Sequence, residues 1–202
     1  MLEIVSDASK ESQVQEEKFT NKLEKEKEVF VKELKELAIE LHTVKGFSDY
    51  KAVKDSATGA LALMEKYEKA AEKVKNFNER ELIFKQPLTE YFDLDKMISD
   101  FHPYHQLWGL AMEFDLEYHE WMNGPFMKSL YYPVIEKKVN QTYYKETLKL
   151  QKIFGELDDR KATEVAQELR THIEKFRECL WLIELLTTEA MTKPTKSIPH
   201  WK

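Results

Sequence analysis

The residues of this sequence that could carry out chemistry are a few histidines, one cysteine and many carboxylates. His102 and His105 stand three positions apart around Pro103, a spacing that superficially suggests a metal-binding pair, and His119 follows in the same region. A carboxylate-bridged metal site in a helical bundle needs Glu-x-x-His elements, and the sequence contains none. We therefore expect no metal site and no catalytic residues. An enzyme in which the three histidines converge is kept as an alternative.

The sequence likewise gives no support for a nucleophilic cysteine or for a nucleotide-binding loop. Cys179 is the only cysteine, so it cannot form an intramolecular disulfide, which favours a reducing compartment. It begins the apolar run CLWLIELL at 179–186, and we expect it to be a buried, unreactive thiol. The five glycines are too widely spaced for a GxxxxGK or GxGxxG phosphate-binding loop. The sequence therefore predicts no bound cofactor.

The composition is typical of a helical protein with charged outer surfaces. Of the 202 residues, 34% are charged and 42% are hydrophobic, and only 5 glycines and 6 prolines are present, which disfavours a turn-rich all-β fold. The formal net charge of −6 argues against nucleic acid or an anionic membrane as the main partner, because phosphates require a basic surface. The acidic start MLEIVSDASK is unlike a signal peptide, and no apolar run is long enough to span a bilayer.

Two helical repeats of apolar residues occupy the first third of the chain, separated by the turn KGFSDY. The first repeat consists of Phe19, Leu23, Phe30, Leu34, Leu37, Leu41 and Val44, and the second of Val53, Ala57, Ala60, Met64, Tyr67, Ala71 and Val74. Both have heptad-like spacing. We predict a flexible N-terminus over 1–11 and an antiparallel helical hairpin of coiled-coil character over 12–76. Two helices packed separately on a globular body are the alternative.

An aromatic stripe at helical spacing follows the break at Pro87. It consists of Leu94, Met97, Phe101, Tyr104, Trp108, Ala111, Phe114, Tyr118 and Trp121. Large flat side chains on one face need a thick core, so several helices should cover them. We expect Pro103 to bend or restart this helix. Asn123 and Gly124 tolerate the positive φ of a helix end, and Pro125 prevents immediate resumption, so the segment WMNGPF predicts a corner.

Two further helices are predicted beyond this corner. One begins near Pro133 and continues to Gly155, and the last carries an apolar repeat from Ala162 to Leu186. Taken together, these elements predict an all-α fold, an elongated bundle of long amphipathic helices with an N-terminal antiparallel helical hairpin.

A series of short motifs, in order, resembles the linker region of dynein heavy chains, the axonemal type in particular. The motifs are Asn-x-Arg-Glu at 78–81, Thr-Glu-Tyr at 89–91, Pro-Tyr-x-x-Leu-Trp at 103–108 and Trp-x-x-Gly-Pro-Phe at 121–126. The signature residues that the resemblance gives are Thr89, Tyr91, Pro103, Leu107, Trp108, Trp121, Gly124, Pro125, Phe126, His200 and Trp201. Near the end, EAMTKPTKSIPHW departs from the family pattern Ala-Met-x-x-Arg-His-Trp, because extra residues precede His200 and Pro199 replaces a basic residue.

The resemblance implies that 77–202 form the first part of the linker and that 12–76 lead into it from the tail. In this family the linker spans a ring of AAA+ modules, and its ATP-driven bending and straightening moves the tail relative to the microtubule-bound ring. The implied partners are that ring and the dynein tail with its associated chains, while ATP, Mg²⁺ and microtubule contact belong to other parts of the heavy chain. The implied location is cytoplasmic and cytoskeletal, in the axoneme of a cilium or flagellum. A stand-alone scaffold or tethering protein of spectrin-like character is the alternative.

Overall fold

The structure is a computed structural model that describes residues 2–124 and 131–192, with side chains described for 14–124 and 131–187. Every regular element in these ranges is helical, so the all-α prediction is confirmed. The elements are α1 (Leu2–Lys45), a 3-10 turn (Tyr50–Ala52), α2 (Val53–Ile83), α3 (Phe92–Asn123), α4 (Tyr132–Lys137), a π-helical segment (Lys138–Tyr143), α5 (Tyr144–Glu156), α6 (Arg160–Arg177) and α7 (Leu180–Thr192). None of these helices combines the length and the apolar character needed to cross a membrane.

The described residues fall into two compact units. Unit 1 contains residues 2–45 and 59–102, and unit 2 contains 46–58, 103–124 and 131–192. This division by packing does not coincide with the predicted boundary between 76 and 77. That boundary stays a prediction.

Within unit 1, α1 and α2 run antiparallel. Ion pairs join Glu40 to Lys66 at 2.6 Å, Glu33 to Lys73 at 2.6 Å, and Glu26 to Arg80. The residue numbers fall along α1 as they rise along α2, which is the order that antiparallel helices give. The backbone of α1 is helical from Leu2, upstream of residue 12, where the hairpin was expected to begin. The flexibility expected for 1–11 stays a prediction.

The apolar face of α2 differs from the predicted repeat. Leu63, Ala70 and Phe77 are buried, whereas Met64 is half-buried and Ala71 is exposed. Both possible alternations of three and four residues pass through Ala60 and Tyr67, and the observed one adds Phe77 to the buried face. Packing against the neighbouring helix thus decides the helix rotation. In α1 the predicted positions from Leu23 to Val44 are buried, but Phe19 is 51% exposed.

Two helix ends are closed by non-glycine residues with left-handed backbone. Lys85 and Asp158 both have φ of 54°. After α2, the Gln86 amide donates to the Glu81 carbonyl at 2.8 Å and the Lys85 amide to the Leu82 carbonyl at 3.1 Å. This pair of bonds is the Schellman motif, and it ends α2 at Ile83, a turn earlier than the predicted end near Gln86.

Three other details correct the sequence predictions. Pro103 lies inside α3, so the helix does not restart there, while the predicted bend at Pro103 stays a prediction. The predicted last helix is divided into α6 and α7 by a turn at 178–179. Cys179 lies in that turn and is exposed, so the prediction of a buried thiol is wrong. The reason is that α7 directs Leu180 and Ile183 inward, which leaves the preceding turn at the surface.

Candidate functional site

The first group of signature residues lies where α2 ends and α3 begins, in unit 1. Thr89 donates two hydrogen bonds to the Glu81 carboxylate, one from its amide at 2.8 Å and one from its hydroxyl at 2.6 Å. Lys27 of α1 approaches the same carboxylate at 2.8 Å. Tyr91 packs edge-on against Phe30 with 5.2 Å between ring centroids. Glu81 therefore ties three segments together, namely α1, α2 and the chain that leads into α3.

The electrostatics of this junction favour the ionised forms of Glu81 and Lys27. The Glu81 side chain is 1% exposed, and its burial opposes ionisation. The hydrogen bonds from Lys27 and Thr89 outweigh this burial and hold the pKa of Glu81 below its usual value. For Lys27, burial likewise opposes the charged form, and the bonds to Glu81 and Glu24 raise its pKa above the usual value. A charge this well compensated serves structure and is not poised to transfer protons.

The second group of signature residues lies in unit 2 and is aromatic. Trp121 stacks on Phe176 of α6, with 5.0 Å between centroids and 17° between planes. Phe114 and Tyr143 meet at 5.3 Å in an edge-to-face arrangement, and Tyr143 also faces Trp121 at 6.4 Å. The side chain of Trp121 is 9% exposed. The aromatic stripe that was predicted to end at Trp121 thus ends in a packed cluster of rings from α3, the π-helical segment and α6.

Leu107 and Trp108 form a separate part of the same core. Each is 1% exposed, and Phe47 packs edge-on against Trp108 at 6.2 Å. Pro103, one turn earlier in α3, is half-buried. These side chains fill space between helices, which is what apolar and aromatic residues at helical spacing do in a core.

Tyr104 and Asp159 link α3 to the start of α6. The Tyr104 hydroxyl donates to Asp159 Oδ2 at 2.5 Å, while Asp159 Oδ1 accepts from the Ala162 amide at 3.1 Å. Asp159 is the residue that caps the N-terminus of α6. One carboxylate therefore fixes both the start of α6 and its position against α3.

Two buried polar atoms lie close to each other at the end of the π-helical segment, the Tyr143 hydroxyl and Glu117 Oε2. Neither makes a hydrogen bond of ordinary geometry within the described residues, whereas Glu117 Oε1 is paired with Lys138. Burial, and then the carboxyls of Glu117 and Glu113, raise the pKa of Tyr143 far above its usual value. The hydroxyl therefore stays protonated, and its place among apolar rings is that of a packing residue.

The three histidines do not form a site in the part of the chain that is described. No group of three metal-ligating side chains occurs there. His102 and His119 are exposed, and His119 lies 3.7 Å from Asp115 on its own helix. An open groove of about 500 Å³ lies between α1 and α2 and is lined by Phe30 and Phe77 together with charged side chains such as Glu26, Glu33 and Lys73. Glu33 and Lys73 form an ion pair with each other.

Several signature residues lie at or beyond the edges of the described ranges. Pro125, Phe126, His200 and Trp201 are outside the described residues. Gly124 is half-buried, and its amide donates to the Glu120 carbonyl at 2.8 Å. No glycine in the described ranges has positive φ. The helix therefore ends at Asn123, as predicted, without the expected left-handed glycine.

Sequence reasoning identified Thr89 and Tyr91 and included Glu81 in the motif Asn-x-Arg-Glu at 78–81, but it did not identify Glu81 as the group that holds them. Spacing alone does not distinguish Glu81 from the exposed Glu79 on the same helix. Asp159 was missed likewise, although an acidic residue before the apolar repeat of α6 is a recognisable capping signal.

Sequence comparison matches this chain to one family model and to short stretches of much longer proteins. The sequence model described as dynein heavy chain, N-terminal region 2, matches residues 94–202. Dynein axonemal heavy chain 1 of Homo sapiens is 32% identical over 126 residues, which is 62% of this chain and 3% of the relative. The same protein of Mus musculus has the same identity and coverage. Dynein axonemal heavy chain 3 of Homo sapiens is 28% identical over 124 residues, or 61% of this chain and 3% of the relative.

The matched region thus spans about 3% of the length of these curated relatives. No solved structure matches the chain.

Proposed function

The chain belongs to the dynein heavy chain family, through N-terminal region 2, and from this premise we propose that it is the tail-proximal part of the linker. In this role the segment is a non-catalytic lever, and ATP-driven changes in a ring of AAA+ modules bend and straighten the linker. The nucleotide sites and the microtubule contact lie elsewhere in the heavy chain. The segment's own task is to transmit displacement without yielding.

The observation that carries the proposal is the interlocked aromatic packing of unit 2. Trp121, Phe176, Tyr143 and Phe114 contact one another across α3, α6 and the π-helical segment. Bulky rings in close contact resist rearrangement because packed interiors have low compressibility. A stiff body is what a lever requires.

A second support is the way in which helix ends are fixed. Glu81 fastens the entry into α3, and Asp159 fastens the entry into α6. Chain reversals are the places where a helical body would yield first, since few contacts restrain loops. Here the reversals after α2 and α5 are closed by Schellman bonds and by two carboxylates, the buried one of Glu81 and the half-buried one of Asp159.

The proposed partners follow from the same premise. They are the AAA+ ring of the same heavy chain and the dynein tail with its associated chains. The relatives named above are axonemal, so we place this chain in the axoneme of a cilium or flagellum. A stand-alone spectrin-like scaffold is not favoured, because the family match covers more than half of the chain.

The experiment is a microtubule-gliding assay, together with ATPase rates, on a full-length heavy chain that carries Trp121→Ala in this region. We expect slower gliding with ATPase largely preserved, because the change softens the lever and leaves the nucleotide sites intact. Leu116→Ala is the matched control, since Leu116 lies on the same helix and is 52% exposed. Circular dichroism would verify that both variants are folded.

Two outcomes would contradict the lever role. If the folded Trp121→Ala motor glides and hydrolyses ATP at wild-type rates, the stiffness of this core has no mechanical role. If ATPase is abolished while the fold persists, the segment controls the ring directly.

A further inference from the structure

Four large apolar side chains are exposed around the turn between α2 and α3 in unit 1. Leu82 is 62% exposed, Ile83 73%, Leu88 51% and Phe92 71%. We call these four residues the corner surface. Single exposed apolar residues are ordinary, but several within one short turn mark an interaction surface. The packing role proposed for the lever does not explain them, because none of them contributes to the core.

The backbone beneath the corner surface is held in place. The Glu81 carboxylate binds the amide and hydroxyl of Thr89, and the Glu81 carbonyl accepts from the Gln86 amide at 2.8 Å. Leu82 and Ile83 directly follow Glu81, and Leu88 directly precedes Thr89. The apolar side chains are therefore presented from a fixed frame. A partner that binds there loses little free energy to ordering of this chain, which is the advantage of a preorganised surface.

The charges around the corner surface select the kind of partner. Within three residues in sequence of the corner surface stand four exposed carboxylates, those of Glu79, Glu90, Asp93 and Asp95, against the two exposed cations Lys85 and, one position further on, Lys96. Lys27 and Arg80 do not add to this count, because they are paired internally with Glu81 and Glu26. An apolar centre with an acidic border repels nucleic acid and anionic lipid. It complements a basic protein segment with an apolar stripe.

We propose that the corner surface docks a basic amphipathic helix of a partner protein. The apolar stripe of such a helix, with residues at i, i+3, i+4 and i+7, covers Ile83, Leu88 and Phe92. Its flanking Lys or Arg side chains pair with the carboxylates of the border. The inference goes beyond the lever role, since it assigns to this segment a binding surface with a defined chemistry.

The test uses two synthetic helical peptides with the same stripe of leucines, one flanked by lysines and the other by glutamates. Fluorescence anisotropy would measure the binding of each labelled peptide to the 202-residue chain. We expect the lysine peptide to bind at least about tenfold more tightly than the glutamate peptide. In the variant Ile83→Ser with Phe92→Ser, binding of the lysine peptide should fall by about tenfold or more, a change of roughly 1.4 kcal/mol.

The matched control is Ile39→Ser with Leu61→Ser, which removes two apolar side chains that are 69% and 52% exposed elsewhere in the chain. It should bind the lysine peptide as the wild type does. The proposal is overturned if the lysine peptide does not bind, if both peptides bind equally, or if the control and the corner variant weaken binding alike. It is also overturned if sedimentation shows that the wild-type chain dimerises and that the variant Ile83→Ser with Phe92→Ser does not, because the occupant is then a second copy.

Discussion

The indole ring of Trp121 lies nearly parallel to the ring of Phe176, with 5.0 Å between the ring centroids. The contact joins the last turn of α3 to the last turn of α6, so two helices are fixed by one pair of side chains. Stacked aromatic pairs add about 0.5–1.5 kcal/mol to the stabilisation that comes from the area they bury.

Replacing Trp121 by alanine should therefore cost about 3–5 kcal/mol of unfolding free energy, the range for a buried large aromatic residue. Trp181→Ala is the matched control, because Trp181 is 64% exposed and its loss should change stability by no more than about 0.5 kcal/mol. Urea denaturation of the 202-residue chain would measure both. Equal midpoints for the two variants would show that Trp121 does not stabilise the core.

The Glu81 junction predicts a particular dependence of stability on pH. Burial opposes ionisation of Glu81, but bonds from Lys27 and Thr89 lower its pKa in the folded state. The stabilisation is then present above the pKa of the unfolded carboxyl and is lost as the pH falls through the folded pKa. Lys27, whose pKa is raised, behaves in the opposite sense, and its contribution is lost only at strongly basic pH.

Glu81→Gln should lower stability by roughly 3 kcal/mol near neutral pH, because it leaves the Lys27 ammonium without its buried partner. It should also flatten the fall in stability on acidification. Glu79→Gln, at an exposed position two residues earlier, is the control and should keep the wild-type pH profile. Denaturation midpoints measured between acidic and neutral pH would test this, and an unchanged acid limb in Glu81→Gln would refute the assignment.

The hydrogen bond between Tyr104 and Asp159 should contribute less to stability than the Glu81 junction does. Tyr104→Phe removes a hydroxyl that donates to a carboxylate at 2.5 Å, and hydrogen bonds to charged groups contribute about 1.5–3 kcal/mol. Thermal denaturation should show that loss. Tyr131→Phe, at a residue that is 54% exposed, should leave the melting temperature unchanged. If both variants melt like the wild type, the Tyr104 hydroxyl does not hold α6.

The purified 202-residue chain should neither bind nor hydrolyse ATP. Phosphate binding requires a glycine-rich loop or a similar set of backbone amides, and the five glycines are widely separated. Titration calorimetry with MgATP should show only heats of dilution. Saturable binding would mean that this segment contains a nucleotide site that its sequence does not reveal.

The success of the sequence-based prediction depended on the physical origin of each feature. The aromatic stripe ending at Trp121 follows from helical periodicity, so its burial could be predicted. The choice between Leu63 and Met64 could not be, because both lie beside the apolar face and the packing of the neighbouring helix decides between them. The role of Glu81 depends on Lys27, 54 positions earlier in the sequence, and such a pairing has no local signal.

The end of α5 gives the sharpest contrast between the sequence and the structure. Gly155 was expected to end the helix, since glycine commonly adopts the left-handed conformation there. In the structure the helix continues through Gly155 to Glu156, and the left-handed residue is Asp158, with φ of 54°. The amides of Asp158 and Asp159 close the helix by donating to the carbonyls of Gly155 and Phe154.

Alanine substitutions three residues apart should therefore have opposite effects. A Cβ added at Gly155 meets nothing within 4 Å, so Gly155→Ala should raise the unfolding free energy by about 0.5–1 kcal/mol, since glycine within a helix carries an entropic cost. Asp158→Ala should lower it by up to about 1 kcal/mol, because alanine in the left-handed region lacks the local hydrogen bonding that makes Asp tolerable. Urea denaturation of both variants would measure the change in unfolding free energy, which should be positive for Gly155→Ala and negative for Asp158→Ala. If Gly155→Ala destabilises the chain, Gly155 does not lie within a regular helical turn and the argument for this helix end is wrong.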